Sequence, residues 1–266
     1  MLRQYSKKGG RRMLTSLDRG IQIMKYIAIN RCASVSEIAQ EFDVDKSTAS
    51  RILSVLARHD LVYKKEGTMK YYSSVGTLLF STRTISNSMI LDEVRPCLRQ
   101  LAEKVNMTAQ IGVFLQNRIF LIDQVKGKDS RFVQEPAFPG MDEPFHCSAL
   151  GKCILAHRTR EEFDSILETF GLFGYTDKTI TDPQILLKEM ETVRQQGYAI
   201  DNGELSPMVF CLAVPVFDRE GNVTFSLGVS GNTNFPENER LREYIVSEVK
   251  KAAEKLQRKY SVKDIV

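Results

Sequence analysis

The apolar positions of the first sixty residues recur at helical spacing in three consecutive segments. Intervals of three and four residues are typical of helices that bury one face. Ser34 or Ser36 stands at the start of the second segment and Asp45 at the start of the third, where a short polar side chain can cap a helix. The pattern therefore predicts three helices, the third from Lys46 to about His59.

The next segment, residues 61–75, alternates apolar and polar residues on either side of Glu66, Gly67 and Thr68. Such alternation around a glycine-containing turn predicts a two-stranded hairpin. In a winged helix-turn-helix the third helix enters the major groove of DNA and the hairpin, called the wing, lies over the backbone. We therefore predict a DNA-binding domain of this type over 15–76, preceded by a flexible basic arm over 1–14.

Beyond the wing the pattern becomes helical again and then alternates between strands and helices. A linker helix is predicted over 77–92, and Pro96 marks a helix start or a kink after it. The apolar segments 209–217 and 223–231 are joined by a turn and predict adjacent strands. The sequence thus predicts an α+β domain over 93–266, with an antiparallel sheet flanked by helices. Further strands are predicted at 111–116 and 118–125, and helices at 148–157, 161–170, 183–197 and 237 to about 260.

The charge of the chain changes this picture, because it is unevenly distributed. The formal net charge is only +4, but residues 1–75 carry 14 Lys or Arg against 7 Asp or Glu, whereas the remainder carries 23 against 26. A basic N-terminal quarter beside a mildly acidic remainder indicates a polyanion as the partner of the first domain. Double-stranded operator DNA is the predicted partner.

The predicted third helix and wing carry the groups that DNA recognition needs. Arg51 has the fork geometry that bonds guanine O6 and N7, so it is the candidate for base readout. Hydroxyls and lysines are more suited to phosphates, which position a protein without specifying sequence. A plain solvated helix face is the alternative interpretation. The predicted DNA-binding residues are Lys46, Ser47, Thr48, Ser50, Arg51, Lys64, Lys65 and Lys70.

Cysteine usage and hydropathy indicate the compartment. The five cysteines are odd in number and widely spaced, and no signal-peptide pattern precedes them. No apolar run approaches the roughly 18 residues that a membrane span requires. We therefore expect a soluble protein of the reducing cytoplasm, with no membrane partner.

Several ordered motifs together resemble one protein family. The segments SLDRGIQIMKYIA and SVSEIAQEFDVDKSTASRILSVLARHDLV are similar to the N-terminal domain of the IclR family of bacterial transcriptional regulators. HCSALGKCILA, TITDPQILLKEMETVRQQGYAID and CLAVPVFDREGNVTFSLGVSG are similar to its effector-binding domain in order and spacing. The resemblance implies a profilin-like or GAF-like effector domain, and a homodimer or a dimer of dimers held partly through the DNA-binding domains and linker helices.

The resemblance also implies a site for a small-molecule effector. Family members that bind small carboxylates line their pocket with the HCSALGK loop, an aspartate, a cysteine on a strand and hydroxyls on the last strand. The alternative interpretation makes the cysteine a small buried apolar residue and the aspartate and serine ordinary strand or turn residues. The positions implied here are Ala149, Leu150, Asp201, Cys211 and Ser230.

The nature of the effector is suggested by two further features. The helix of ALGKCILA, if its N-terminus faces the pocket, offers free backbone N–H groups and its positive dipole end to an anion, which favours an organic acid. Gly228 stands where some carboxylate-binding members carry a second hydroxyl, a departure that implies more room and one donor fewer.

Metal and cofactor sites are not expected. His146 and Cys147, with Cys153 and Cys211, could suggest zinc, but their spacing is not that of a structural zinc site and adjacent ligands suit one tetrahedral ion poorly. We therefore predict neither a metal nor a cofactor.

An enzyme is the main rival class of function. Ser230 lies in GVSGN, where a nucleophile elbow requires glycine at the position of Asn232. A phosphate-binding loop also fails, because His146 occupies the position of its first glycine. The sequence predicts a DNA-binding regulator controlled by a metabolite, and not an enzyme; the alternatives are a hydrolase-like enzyme or a protein-interaction module.

Overall fold

The computed structural model describes residues 15–80, 89–115, 117–128, 137–232 and 238–257. The chain divides into two compact units, with the boundary between Asn87 and Ser88. The arm predicted over 1–14 lies outside the described residues, as does 81–88, the middle of the predicted linker helix. Both predictions therefore stay predictions.

The three helices that the sequence predicted are present in the first unit. These are α1 (Thr15–Asn30), α2 (Val35–Glu41) and α3 (Lys46–Arg58). Ser34, and not Ser36, caps α2: its hydroxyl accepts from the backbone N–H of Glu37, whose carboxylate accepts from the N–H of Ser34. Asp45 caps α3 as predicted.

A small antiparallel sheet completes the first unit. The predicted hairpin is formed by β2 (Val62–Lys64) and β3 (Lys70–Ser73), and β1 (Ala33–Ser34) adds to the other edge of β3. Sequence reasoning missed β1 because two residues are too few to show a period. A single-turn 3-10 helix, Val75–Thr77, follows. The core between helices and sheet contains Ile23, Ile27, Ala33, Ile38, Ala49, Leu53 and Val62.

In the described part of the second unit, five strands form one sheet in which every pairing is antiparallel, as predicted. The strand order is β5-β4-β8-β7-β6. Strand β4 begins three residues before the predicted 111, and β6 was not predicted. The strands are β4 (Thr108–Leu115), β5 (Arg118–Val125), β6 (Ala199–Asn202), β7 (Val209–Phe217) and β8 (Val223–Asn232).

Helices cover both faces of this sheet. Helices α4 and α8 pack on one face, and α5, α6 and α7 lie on the other. Pro96 lies inside α4, so it does not mark a helix start, the first of its two predicted roles. The helices are α4 (Met89–Val105), α5 (Ala149–Leu155), α6 (Arg160–Phe170), α7 (Pro183–Gln196) and α8 (Glu239–Leu256).

The two faces of the sheet differ in the side chains they present. Because successive strand residues point to opposite sides, Leu212 and Val229 face α4 and α8, whereas their chain neighbours Cys211 and Ser230 face α5. The first face is mainly apolar, with Asp123 of β5 paired to Arg95 of α4 as an exception, and the second carries small and polar groups. None of the described helices is long and apolar enough to cross a membrane.

Candidate functional site

Helix α3 presents a polar line to solvent. At about 100° per residue, Ser47, Arg51, Ser54 and Arg58 fall within roughly 60° of one another, and all four are exposed. The buried side chains of α3, among them Leu53, lie on the opposite side. The predicted Arg51 is therefore central on the exposed line, and Ser54 and Arg58, which sequence reasoning left out, extend it.

Two of the predicted hydroxyls have a local structural task. The hydroxyls of Ser47 and Thr48 both donate to the carboxylate of Asp45, and the backbone N–H of Thr48 donates to it as well, at 2.8 Å. These bonds hold the pKa of Asp45 well below its usual range. Because both hydroxyl protons are used, these side chains offer a phosphate no free donor while the cap is intact.

The wing places its lysines around a tight turn. Lys64 ends β2, and Lys65 and Lys70 flank the turn, with all three exposed. Lys65 Nζ lies 5.8 Å from the centre of the Tyr72 ring, and Lys70 Nζ lies 3.7 Å from Glu37 Oε1. The wing therefore presents a cluster of cations whose positions are partly held by neighbours in the same unit.

In the second unit, three of the predicted effector residues come together in one row across the sheet. Asp201 on β6 pairs with Cys211 on β7, Cys211 pairs with Ser230 on β8, and Ser230 pairs with Thr108 on β4. Directly paired side chains of an antiparallel sheet lie about 5 Å apart on one face. We call these four residues the polar row.

Asp201 is the most unusual member of the polar row. Its Oδ1 accepts hydrogen bonds from the backbone N–H groups of Glu204, at 2.7 Å, and Leu205, at 3.4 Å. The side chain is 1% exposed, and its Oδ2 meets no hydrogen-bond donor among the described residues. Burial raises the pKa of Asp201 to about 7.

The loop before α5 lies close to the polar row. Burial, and after it the charges of Asp201 and Glu204, raise the pKa of the Cys147 thiol on this loop. Burial, and after it the charges of Asp201 and Glu143, raise the pKa of Cys211 in the same way. Glu143, a second buried carboxyl that sequence reasoning missed, has a pKa raised by burial to about 7.

Ala149 and Leu150 occupy the first turn of α5, and both are buried. Leu150 reaches the sheet at β4, where its Cδ1 lies 3.4 Å from the position that a Cβ would take at Gly112. The helix is seven residues long, shorter than the predicted 148–157, and the Ser148 hydroxyl accepts from the N–H of Gly151. So short and capped a helix weakens the expected attraction of an anion to its N-terminus.

A buried ion cluster joins α5 to the turn after Asp201. Lys152 is 1% exposed, and its Nζ lies 2.5 Å from Glu204 Oε1, 2.9 Å from the carbonyl oxygen of Ile200 and 3.2 Å from Glu189 Oε1. Because the N–H of Glu204 donates to Asp201, Lys152 fixes the turn that orients the carboxyl of Asp201.

Two threonines hold the same turn from the other side. Thr176 Oγ1 donates to the carbonyl oxygen of Gly203 at 2.8 Å, and Thr179 Oγ1 donates to that of Glu204 at 2.6 Å. His146, considered above as a metal ligand, instead places Nε2 2.9 Å from the carbonyl oxygen of Phe173. Among the described residues, no three His, Cys, Asp or Glu side chains are arranged to hold a metal ion.

The extra room expected at Gly228 is absent from the structure. A Cβ built there would lie 2.7 Å from the carbonyl oxygen of Leu212 and 3.0 Å from the Cβ of Ala213. Strands β7 and β8 approach so closely at this pair that the missing side chain leaves no cavity in its own direction. That expectation was therefore wrong.

Family profiles match both units. The profile of the IclR helix-turn-helix domain matches residues 16–66, and that of the bacterial transcriptional regulator IclR C-terminal matches residues 82–258. The chain belongs to the IclR family of bacterial transcriptional regulators. The helix-turn-helix, the α+β second unit and the resemblance inferred from the motifs are thereby confirmed.

Individual IclR-family relatives agree with this assignment. The HTH-type transcriptional regulator BhcR of Paracoccus denitrificans is 30% identical over 220 residues, covering 83% of this chain and 78% of the relative. The IclR transcriptional regulator of Alicyclobacillus acidocaldarius superposes with a TM-score of 0.79 at 26% identity, covering 92% and 98% of the two chains. An IclR homologue of Microbacterium hydrocarbonoxydans, solved with 4-hydroxybenzoate, has a TM-score of 0.71 at 19% identity, covering 94% and 98%, and shares the fold.

Sequence reasoning on this IclR-family chain missed the groups around the polar row. Thr108 was missed because the strand was predicted to start at residue 111, whereas TAQIGVFL forms one continuous strand. Lys152 carries a signal that was visible, a single charge inside the apolar segment ALGKCIL. Glu143 and Glu204 carry no such signal, because they lie in polar loops and only the fold buries them.

Proposed function

We propose that this IclR-family regulator binds operator DNA through α3 and the wing, and that a small organic acid bound at the polar row controls this binding. The polar row carries the second half of the proposal. It brings a carboxyl oxygen without a protein donor, a thiol and two hydroxyls together on one buried face, which a core without a ligand has no need to contain.

The role of the first unit is supported by its surface. Arg51 stands at the centre of the exposed line of α3, where it reaches base edges if α3 enters the major groove. Lys46 is exposed at the N-terminus of α3, and Lys64, Lys65 and Lys70 are exposed on the wing; all four would contact phosphates. The oxygens of Ser47 and Thr48 would accept from amino groups on the bases, and Ser50 would contribute through its hydroxyl.

The role of the second unit is supported by chemistry and by one relative. Cys211 and Ser230 offer donors to a carboxylate, and Ala149 and Leu150 supply apolar surface from α5. 4-Hydroxybenzoate, found with the Microbacterium homologue, is itself a monocarboxylate. An organic acid is therefore the proposed class of effector.

Control requires only that the effector prefer one of two arrangements of the regulator. We expect a homodimer or a dimer of dimers in the cytoplasm, in which two copies of α3 meet two half-sites related by two-fold symmetry. The linker over 77–92 would transmit the change, because rotating it alters the spacing of the two α3 helices. The proposal assigns the protein no catalytic activity.

Fluorescence anisotropy tests both halves. The full chain is titrated onto its own upstream intergenic DNA and onto a scrambled duplex, across a salt series, with and without 4-hydroxybenzoate and a panel of two- to four-carbon carboxylates. We expect specific binding whose affinity falls steeply as the salt concentration rises and is changed by one class of acid. Lys188→Ala, which removes an exposed charge from α7, is the control and should bind DNA like the wild type.

The experiment distinguishes failure of the DNA-binding half of the proposal from failure of the effector half. No affinity for any DNA would turn the interpretation to a protein-interaction module or an enzyme. DNA binding that no carboxylate changes at any salt concentration would remove the organic-acid effector and leave the regulator.

A further inference from the structure

The surroundings of the polar row contain more buried acid than base. Asp201 and Glu143 are 1% and 8% exposed, and the charges of both act on Cys211. Glu204 follows Asp201 closely, and its side chain is 12% exposed. The cation that contacts this cluster, Lys152, already lies against two carboxylates and a carbonyl oxygen. An anionic effector therefore enters a region whose described charges are predominantly negative.

Such an arrangement is costly unless a proton enters with the anion. A carboxylate beside an unprotonated, buried carboxylate suffers repulsion that low local polarity strengthens. Two carboxyl groups that share one proton instead form a charge-assisted hydrogen bond. The proton in that bond is best placed on a carboxyl oxygen that accepts no hydrogen bond from another donor.

Resting on the proposed function, we propose that the organic-acid effector binds together with one proton, which is held on Asp201 Oδ2 and donated to the effector carboxylate. The proton comes from solvent, and no covalent bond is made or broken. The same arrangement selects monocarboxylates over dicarboxylates, because a second negative charge would require a second proton or cation.

The geometry of Asp201 assigns the proton to one atom. Oδ1 is occupied as an acceptor by the N–H groups of Glu204 and Leu205, so it gains nothing from a proton. Oδ2 is buried and meets no donor among the described residues. A protonated Oδ2 can donate to an effector lying over Cys211, whereas an ionised Oδ2 would leave a buried charge unsatisfied.

Burial is the main reason that Asp201 is protonated near neutral pH. The charge of Glu204 raises the pKa of Asp201 further, whereas the backbone N–H groups of Glu204 and Leu205 and the charge of Lys152 lower it by effects smaller than that of burial. The thiols of Cys147 and Cys211 have raised pKa values and are neutral at physiological pH. With burial raising the pKa of Asp201 to about 7, its carboxyl titrates in the range where the cell operates.

Isothermal titration calorimetry measures how many protons are taken up when the effector binds. The full chain is titrated with 4-hydroxybenzoate, acetate and pyruvate, and with succinate as the dicarboxylate, in phosphate and in Tris at pH 8. For the monocarboxylate that binds tightest, we expect the apparent binding enthalpies in the two buffers to differ. The difference should equal the difference between the ionisation enthalpies of the buffers multiplied by about one, the number of protons taken up. Its Kd should rise about tenfold per pH unit above pH 7 and level off below. Succinate should bind more weakly than the monocarboxylates.

Asp201→Asn keeps the shape of the side chain and supplies an N–H donor without a titrating proton. This variant should bind the same acid with no proton uptake and with a Kd that does not change with pH. Asp218→Asn is the matched control, because Asp218 is also buried and its Oδ1 also accepts two backbone N–H groups, from Glu220 and Asn222. It should keep the proton uptake of the wild type.

The outcomes separate this inference from the proposed function. If no carboxylate binds between pH 5.5 and 8.5, the proposed effector class itself is lost. If a carboxylate binds to the wild type with no proton uptake, the effector stands and the proton inference is overturned, whether or not the Asp201 variant folds. If a folded Asp201→Asn protein takes up as many protons as the wild type, the assignment of the proton to Asp201 Oδ2 is overturned. If succinate binds more tightly than the monocarboxylates, the proposed selectivity is overturned.

Discussion

The two units of this IclR-family regulator place their candidate functional groups in opposite environments. In the first unit, Arg51 and its neighbours lie within one helix and on the surface. In the second, Asp201, Cys211 and Ser230 come from three strands and lie on a largely buried face. A surface that meets a large partner has to be exposed, whereas a site for a small molecule gains its selectivity from exclusion of water.

Two aspartates make the comparison concrete. Asp45 and Asp201 both accept backbone N–H groups three or four residues further along the chain. Asp45 is exposed and receives two hydroxyl donors besides, so its pKa is lowered, whereas Asp201 is buried with one oxygen left without a donor, so its pKa is raised. The difference teaches that the same backbone hydrogen bonds are compatible with either protonation state: hydroxyl donors keep Asp45 ionised, and burial favours the protonated form of Asp201.

The largest effect is expected from Lys152→Met. This change leaves Glu204 and Glu189 without their cation in the interior and should lower the free energy of unfolding by about 3–5 kcal/mol. Urea unfolding measures it. Arg160→Met, which breaks the exposed pair with Asp164, is the control and should cost less than about 1 kcal/mol. If the two variants lost similar amounts of unfolding free energy, the buried ion cluster would be no more important for stability than the exposed ion pair.

Arg51→Ala tests the surface side of the comparison. Loss of a bidentate contact to guanine should weaken operator binding by about 1–3 kcal/mol, while affinity for a scrambled duplex changes little. Lys64→Ala should instead weaken binding to both duplexes. It should also reduce the slope of log affinity against log salt concentration by about one. Anisotropy on the two duplexes measures both. An Arg51 variant that loses affinity equally for both would mean that Arg51 contacts phosphate.

The pH dependence of stability sharpens the comparison of the two aspartates. A carboxyl whose pKa is raised by folding binds more protons in the folded chain between its unfolded and folded pKa values, so stability falls as pH rises through that window. For Asp201 the window runs from about 4 to the raised pKa of about 7, and Glu143 acts in the same direction. Asp45 has a lowered pKa and acts oppositely, losing its contribution only as the pH falls below about 4.

Urea unfolding at pH 5, 6, 7 and 8 checks this sign. We expect the free energy of unfolding of the wild type to decrease from pH 5 to 7 by up to about 1.4 kcal/mol per pH unit for each proton involved. Asp201→Asn should flatten this decrease, and Asp218→Asn should not. A slope in Asp201→Asn equal to that of the wild type would show that Asp201 is ionised throughout.

The smallest effect concerns a single helix cap in the first unit. Ser34→Ala removes the capping box of α2 and should lower the free energy of unfolding of that unit by about 1 kcal/mol. Ser36→Ala, the other serine that the sequence offered as a cap, lies on an exposed part of α2 and should change stability by only a few tenths. Equal effects would mean that the capping bonds of Ser34 contribute nothing in solution.

Most of the fold was predictable where signals were local and long enough. Helix α3, its cap Asp45 and the wing follow from spacing and turn chemistry within a few residues of each other. β1 and β6 were missed because strands of two and four residues show too little alternation to be recognised without their partners. The ends of β4 and α5 were misjudged for a related reason, since caps and sheet pairing decide where an element stops.

The sequence by itself determined the class of the molecule, the helix that carries Arg51 and the identity of three residues of the polar row. Only the tertiary structure decided that Asp201 keeps one oxygen without a donor, that Lys152 is buried between two carboxylates, and that Glu143 lies near the same thiol. The physical reason is that pairing of strands distant in the chain sets these distances, and burial sets the charge. Neither quantity can be read from neighbours along the sequence.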